Sequence, residues 1–398
     1  MSHIQGIRRR TWAEIDLDKA EKNYVKVKEA VGERVKICCV IKANAYGHGA
    51  VRMATFYQKM KADYLAVSNI EEALQLREKQ ITLPILVLGY TPEECAGLLA
   101  CHDITQTVYS YEYGNKLARC AETLGVKVKI HIKLDTGMGR IGFLCRQDSK
   151  HELDEAKEIC ERESLIAEGI FTHFAVADEN VDGDAFTQEQ FHCFCMGVEY
   201  LEKNGIRFSI RHCANSAAIF DHPEVHLDMV RAGVVLYGLK PSEKLRHLPE
   251  LQPIMTVKSV ISHSKEIYPG ETVSYGRTFL ATRKTTVATV PIGYADGLWR
   301  GNATTECYML VNGKYAPIIG RICMDQLMLD VSEIDCSVGD VVTVFGNDRM
   351  CSADLIARRN GTINYEIVCA IGERVPRAFI WDGIIQDWQD SIYKEDLL

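Results

Sequence analysis

The sequence predicts an α/β fold class: an N-terminal (β/α)8 barrel of the TIM type followed by a C-terminal, mainly-β domain. Three observations lead there. Between residues 35 and 240, short β-branched runs alternate with longer stretches of helical period, the pattern of parallel strands joined by helices. Those runs number eight. Beyond Gly238 the texture changes to short strand-like runs broken by Pro-Gly, Asn-Gly and Gly-Asn-Asp turns, as antiparallel hairpins require.

Taken in order, a first strand-like piece from Thr11 to Leu17 precedes the barrel and could pair with either domain. The eight barrel runs are Val35 to Ile41, Tyr64 to Val67, Ile85 to Leu88, Gln106 to Tyr109, Val126 to Ile132, Ile166 to Thr172, Ser209 to His212 and Met229 to Leu236. A doubly wound sheet is the alternative arrangement of the same units. The β part follows as Leu251 to Lys265, Thr285 to Val290, Tyr308 to Val311, Tyr315 to Ile319 and Val341 to Phe345. Lys240-Pro241-Ser242 reads as the linker, dividing a barrel over 12–240 from a β domain over 241–390.

The chain has 398 residues, 47% hydrophobic and 25% charged, with a net charge of −8. This is an ordinary globular composition with ample length for a core. An acidic balance repels phosphate backbones, so no nucleic-acid partner is expected. Fifteen cysteines, an odd number scattered from Cys38 to Cys369, suit free thiols in a reducing cytoplasm better than a disulfide framework. His192-Cys193-Phe194-Cys195 sits in a helical stretch without the paired spacing of a zinc site, so no metal is expected. The N-terminal arginines lack an apolar stretch after them, and no run approaches a membrane span.

Gly137-Met138-Gly139-Arg140-Ile141-Gly142 matches GxGxxG, but an Asp-Thr step precedes it and no helix pattern follows at once, so a dinucleotide site is not supported. Lys42 ends the first barrel strand, at the carboxyl end where barrels place catalytic groups. A desolvated lysine there has a lowered pKa and can form a Schiff base with an aldehyde; its other reading is a solvated strand end. After strands seven and eight, where barrels hold phosphates, come Asn215-Ser216 and Arg231-Ala232-Gly233-Val234. Singly, Ser216 reads equally well as a helix N-cap and Gly233 as a turn.

The assembly of Val40-Ile41-Lys42-Ala43-Asn44-Ala45-Tyr46-Gly47-His48-Gly49, Asn215-Ser216-Ala217 and Met229-Val230-Arg231-Ala232-Gly233 resembles the alanine racemase family. The likeness continues through Lys133-Leu134-Asp135-Thr136-Gly137-Met138-Gly139-Arg140, Ser274-Tyr275-Gly276, Gly293-Tyr294-Ala295-Asp296-Gly297, Gly320-Arg321-Ile322-Cys323-Met324-Asp325 and Ile363-Asn364-Tyr365-Glu366. It thus covers nearly the whole chain, in the family's order.

The resemblance implies pyridoxal 5′-phosphate bound through Lys42 and a two-base interconversion of L- and D-alanine, supplying D-alanine for peptidoglycan. The bases it implies are Lys42 and Tyr275, the latter from the β domain of a second subunit in a head-to-tail homodimer. By the same resemblance His173 faces Tyr275, and Arg231 faces the pyridine nitrogen. Tyr46, Asn215, Ser216, Gly233, Val234 and Tyr365 complete the cofactor site, and Arg140 with the backbone of Met324 holds the substrate carboxylate. Lys133 matches a lysine carbamylated in many members. Asp178, Tyr294, Arg300 and Ile363 match the corridor by which substrate approaches. A related serine racemase is the alternative, in which the position of Tyr365 commonly carries a smaller polar residue; the intact tyrosine favours alanine. A non-catalytic cofactor carrier would lack the β domain, and a decarboxylase would carry a glutamate where Arg231 stands.

Overall fold

A computed structural model describes residues 10–304 and 306–390 of the chain. Eight parallel strands form a nearly closed barrel: Lys36–Val40, Tyr64–Val67, Ile85–Val87, Ile104–Val108, Val128–Asp135, Leu165–Phe171, Ile210–His212 and Met229–Ala232. The eighth pairs back onto the first, with Arg231 opposite Cys38. The remaining seam is joined by single bonds, Asp228 N–H to Arg211 C=O at 3.1 Å and Arg231 N–H to Ala214 C=O at 3.0 Å. The intervening helices start and stop where local chemistry dictates. Ser110 accepts from Tyr113 N–H to open helix Tyr111–Leu124, and Gly125 closes it in the left-handed conformation.

The eighth run stops earlier than its apolar sequence suggests. Gly233 ends the ladder at Ala232, and Val234–Tyr237 turns into a short 3-10 helix. The second sheet has ten strands, in the order His263–Ile267, Thr285–Val290, Leu327–Asp330, Lys314–Ile319, Tyr308–Val311, Val341–Phe345, Met255–Val260, Thr11–Asp16, Arg377–Trp381 and Ile384–Gln389. The long run from Leu251 to Lys265 is therefore two strands. Ile261 N–H turns aside to Asp340 C=O between them, and they pair with different partners. Thr11–Asp16, whose sheet the sequence left open, lies in this second sheet between Met255–Val260 and Arg377–Trp381.

One continuous apolar core runs from the barrel helices into the second sheet. At their junction Arg377 donates from Nε and Nη2 to the Gly47 carbonyl at 3.0 and 2.8 Å. A side chain at Gly47 would strike the Val368 carbonyl at 2.2 Å. The β part thus grips the turn that follows Lys42. Among the described residues no helix is long and apolar enough to cross a membrane.

Candidate active site

At the carboxyl end of the barrel a cavity of about 720 Å³ opens, lined from several strand ends at once. Lys42 enters it from an unusual turn: Ala43, Asn44, Ala45 and Tyr46 all have φ between 52° and 54°. Left-handed backbone costs about 1–2 kcal/mol for each non-glycine residue, so something must hold it. His48 does so in part, its buried Nδ1 donating to the carbonyls of Ala45 and Tyr46, both at 2.9 Å, with its ring stacked on Tyr237. Asn44 Oδ1 caps the next helix by accepting from Ala50 N–H at 2.8 Å, and Glu72 accepts from Ala43 N–H at 2.7 Å. Strain of this kind persists where the surroundings overdetermine it, commonly at functional sites. Here it brings both Lys42 and Tyr46 to the cavity wall.

Lys42 has its pKa lowered, first by burial and then by the Arg140 charge. Lys133, only 3% exposed, is pushed down to about 7 by burial, Arg140 and Arg231. Arg231 is clamped. Nη1 donates to His212 Nδ1 at 2.8 Å and to the His212 carbonyl at 3.2 Å; Nη2 donates to the carbonyls of Thr172 (2.8 Å) and Cys213 (3.1 Å) and to His173 Nδ1 (3.1 Å). These bonds engage both terminal nitrogens and fix the guanidinium at the cavity wall. His173 accepts at Nδ1, so its remaining hydrogen is on Nε2, and burial beside Arg231 holds it neutral.

On the same wall Ser216 Oγ accepts from Gly233 N–H at 2.9 Å. A Cβ at Gly233 would lie 2.9 Å from Tyr46 Oη and 3.3 Å from Ser216 Oγ. Asn215 turns its Oδ1 to the N–H groups of Ala217 and Ala218, shaping the start of the following helix. The result is a recess bounded by two hydroxyls, closed to any side chain at position 233, and suited to an oxyanion.

The GxGxxG segment has a different job. The amides of Gly137 and Gly139 both donate to Asp135 Oδ1 at 3.0 Å, and Phe143–Leu144 pairs with the fifth barrel strand instead of opening a helix. The amides of its first two glycines are already occupied, and the loop carries Met138, Arg140 and Ile141 to the cavity.

Of the residues singled out in the sequence, the cavity gathers Lys42, Tyr46, Lys133, Arg140, His173, Asp178, Asn215, Ser216, Arg231, Gly233, Val234, Ile363 and Tyr365. The Tyr365 ring lies 6.0 Å from that of Tyr46. Tyr275, Tyr294, Arg300 and Met324 do not line it. They stand on the second sheet's side of the chain, with Tyr275 67% and Met324 52% exposed. Sequence reading missed His131, Glu168 and His212 as polar residues of the barrel interior. The available signal was the two-residue step from Lys133 to His131, which puts both on one face of a strand.

The pattern described as alanine racemase, N-terminal domain, matches residues 15–241, and that described as alanine racemase, C-terminal domain, matches residues 254–379. The chain is 44% identical to alanine racemase 2 of Caldanaerobacter subterraneus subsp. tengcongensis over 382 residues, 95% of this chain and 97% of that protein. The solved alanine racemase of Clostridium difficile 630 superposes with a TM-score of 0.92 at 43% identity, covering 97% of this chain and all of the other. That of Bacillus anthracis, solved with bound L-Ala-P, gives 0.89 at 36% identity, covering 96% of this chain and 98% of the other.

Proposed function

The chain belongs to the alanine racemase family of isomerases, and from that premise we propose that its barrel cavity holds pyridoxal 5′-phosphate and interconverts L- and D-alanine. The observation that carries this reading is the convergence, in one cavity, of an amine of lowered pKa, a clamped arginine, and the Gly233 recess. These are the groups that an aldehyde, a pyridine nitrogen and a phosphate would each require.

Ser216, Gly233, Val234 and Tyr46 would hold the phosphate, Arg231 the ring nitrogen, and Lys42 the carbonyl carbon. When bound, the cofactor supplies an electron sink that acidifies the Cα–H of the amino acid joined to it. Arg231 keeps its own proton under ordinary conditions, so it offers the ring nitrogen a hydrogen bond without protonating it. Racemisation needs a proton carrier on each face of Cα: Lys42 Nζ on one, and Tyr275 Oη of a second copy of the chain on the other. Arg140, helped by the Met324 backbone of that second copy, would hold the substrate carboxylate. Lys133, with its pKa pushed down to about 7, carries a substantial neutral fraction at neutral pH and is open to carbamylation, which would set a negative charge beside Arg140.

The exposure of Tyr275, Tyr294 and Met324, away from their own chain's cavity, supports a head-to-tail homodimer. Asp178 and Ile363 on the cavity rim, with Tyr294 and Arg300 from the partner, would form the approach corridor. We retain the division near residue 240, with Thr11–Asp16 counted to the β unit, and assign the enzyme to the cytoplasm and to D-alanine supply for peptidoglycan. Fifteen scattered cysteines, an odd number, are compatible with that compartment. Tyr365 narrows the cavity toward alanine over serine.

The test is α-proton exchange in deuterated buffer with added pyridoxal 5′-phosphate, run on L-alanine and L-serine with enantiomers resolved. Washout with formation of D-alanine, and slower reaction of serine, is the expected result. No exchange on alanine refutes the proposal.

A further inference from the structure

Parallel barrels usually fill with branched apolar side chains, yet six strands of this one each contribute a polar residue to a single chain of hydrogen bonds. Arg231 Nη1 donates to His212 Nδ1 at 2.8 Å. His212 Nε2 lies 2.9 Å from His131 Nδ1, and His131 Nε2 lies 3.3 Å from Glu168 Oε2. The same carboxylate oxygen accepts from Tyr64 Oη at 2.8 Å and from Thr105 Oγ1 at 3.4 Å. His131 and His212 are fully buried.

The backbone is built to permit this. Ile130 pairs with Ala167 and His131 with Gly169, so Glu168 is the extra residue of a β-bulge, a device that re-aims a side chain. Gly169 clears the space: a Cβ there would lie 2.6 Å from His131 Cε1 and Nε2. Phe171 stacks on His212 with 4.7 Å between ring centroids and only 9° between planes, fixing the second imidazole.

A guanidinium only donates and a carboxylate only accepts, so both ends impose the same direction on the protons between them. His212 must accept at Nδ1 and carry its hydrogen on Nε2; His131 must do likewise, its hydrogen directed at Glu168. We propose that Glu168 is a positioning residue for Arg231, its carboxylate locking the tautomers of His131 and His212 so that an acceptor always faces the guanidinium. Burial supports this by keeping both imidazoles neutral, and the His131 hydrogen bond holds the Glu168 carboxyl at about 2, ionised throughout the working range.

An amide at position 168 can present N–H to His131 Nε2 and reverse the chain. The hydrogen of His212 would then sit on Nδ1, donor against donor with Arg231 Nη1, and the arginine would lose one of the five bonds that position it. The consequence for turnover rests on the reading that Arg231 faces the cofactor's ring nitrogen; the tautomers do not.

The experiment is ring-¹⁵N NMR of histidine-labelled protein, cofactor-free and loaded, on wild type, Glu168→Gln and Gly169→Ala. Wild type should show hydrogen on Nε2 alone at His131 and His212, and both variants should show an Nδ1–H form at both residues. Glu168→Gln should also lower kcat for alanine about tenfold, the loss of one charge-assisted bond, with KM within about threefold. An Nδ1–H signal at either histidine in wild type, which needs no variant to fold, overturns the proposal. So does an unchanged tautomer pattern or unchanged kcat in Glu168→Gln. An inactive wild type with the expected tautomer changes would refute the racemase reading and leave the positioning role of Glu168 supported.

Discussion

Gly233→Ala tests the assignment of the oxyanion recess, and the structure sets the size of the effect. The added methyl would stand 2.9 Å from Tyr46 Oη and 3.3 Å from Ser216 Oγ, inside ordinary carbon–oxygen contact, so both hydroxyls must move outward. A hydrogen bond to a charged group is worth about 1.5–3 kcal/mol. Weakening two of them by roughly half each costs about 1.5–3 kcal/mol, or about ten- to one-hundred-fold in affinity. The assay is absorbance titration of cofactor-free protein with pyridoxal 5′-phosphate, and in parallel with pyridoxal, which lacks the phosphate. The first should weaken by that factor and the second hardly at all. Equal losses, or a phosphate-specific loss below about threefold in a protein with an unchanged melting profile, would refute the argument that the recess receives the phosphate.

Other consequences can be read as directly. Lys133 titrates at about 7 when folded and at about 10.4 when unfolded; between those values the unfolded chain binds the extra proton, so stability rises with pH. In carbon-dioxide-free buffer, Lys133→Met should remove up to about 1.4 kcal/mol per pH unit of that slope, read from denaturant melts at pH 7, 8 and 9; parallel curves for the two proteins would contradict it. With ¹³C-bicarbonate, a carbamate resonance is expected in wild type and absent in Lys133→Met. Equal mixing of Lys42→Ala and Tyr275→Ala subunits should restore about a quarter of wild-type activity, since half the dimers are mixed and each regains one of two shared sites; no recovery after verified subunit exchange would show that the sites are not shared. Tyr365→Ser should raise the serine-to-alanine ratio of kcat/KM by about tenfold, a modest change in pocket size, and an unmoved ratio would remove Tyr365 from specificity.

Local pattern was enough to show seven of the barrel strands close to their observed places, because a strand buried on both faces must be a continuous apolar run and the helices between must be amphipathic. The same logic fails where one apolar run serves two purposes. Met229 to Leu236 is apolar apart from Arg231, and only Gly233, closely faced by Tyr46 and Ser216, shows where strand becomes turn. Leu251 to Lys265 reads as one strand because its break at Ile261 depends on a partner 79 residues on, Asp340. Leu327–Asp330 and Arg377–Trp381 were not recognised in the sequence, and each pairs with a strand far away in the chain, Thr285–Val290 and Thr11–Asp16; Ile384–Gln389, also unrecognised, forms a local hairpin with Arg377–Trp381.

By itself the sequence determined the alternation of elements, the position of Lys42 at a strand's end, the chemistry-bearing residue types and the family to which they point. These are properties of periodicity, termination and residue chemistry, each carried within a short window. Only the tertiary structure decided that Ala43 to Tyr46 take a left-handed turn, that Asp135 occupies the Gly137 and Gly139 amides, and that Arg231 is braced through His212 and His131 by Glu168. For the last of these the reason is separation along the chain. A hydrogen bond between groups 19, 37 or 81 residues apart in sequence depends on barrel closure and on a one-residue bulge, and neither leaves a periodic trace in the chain.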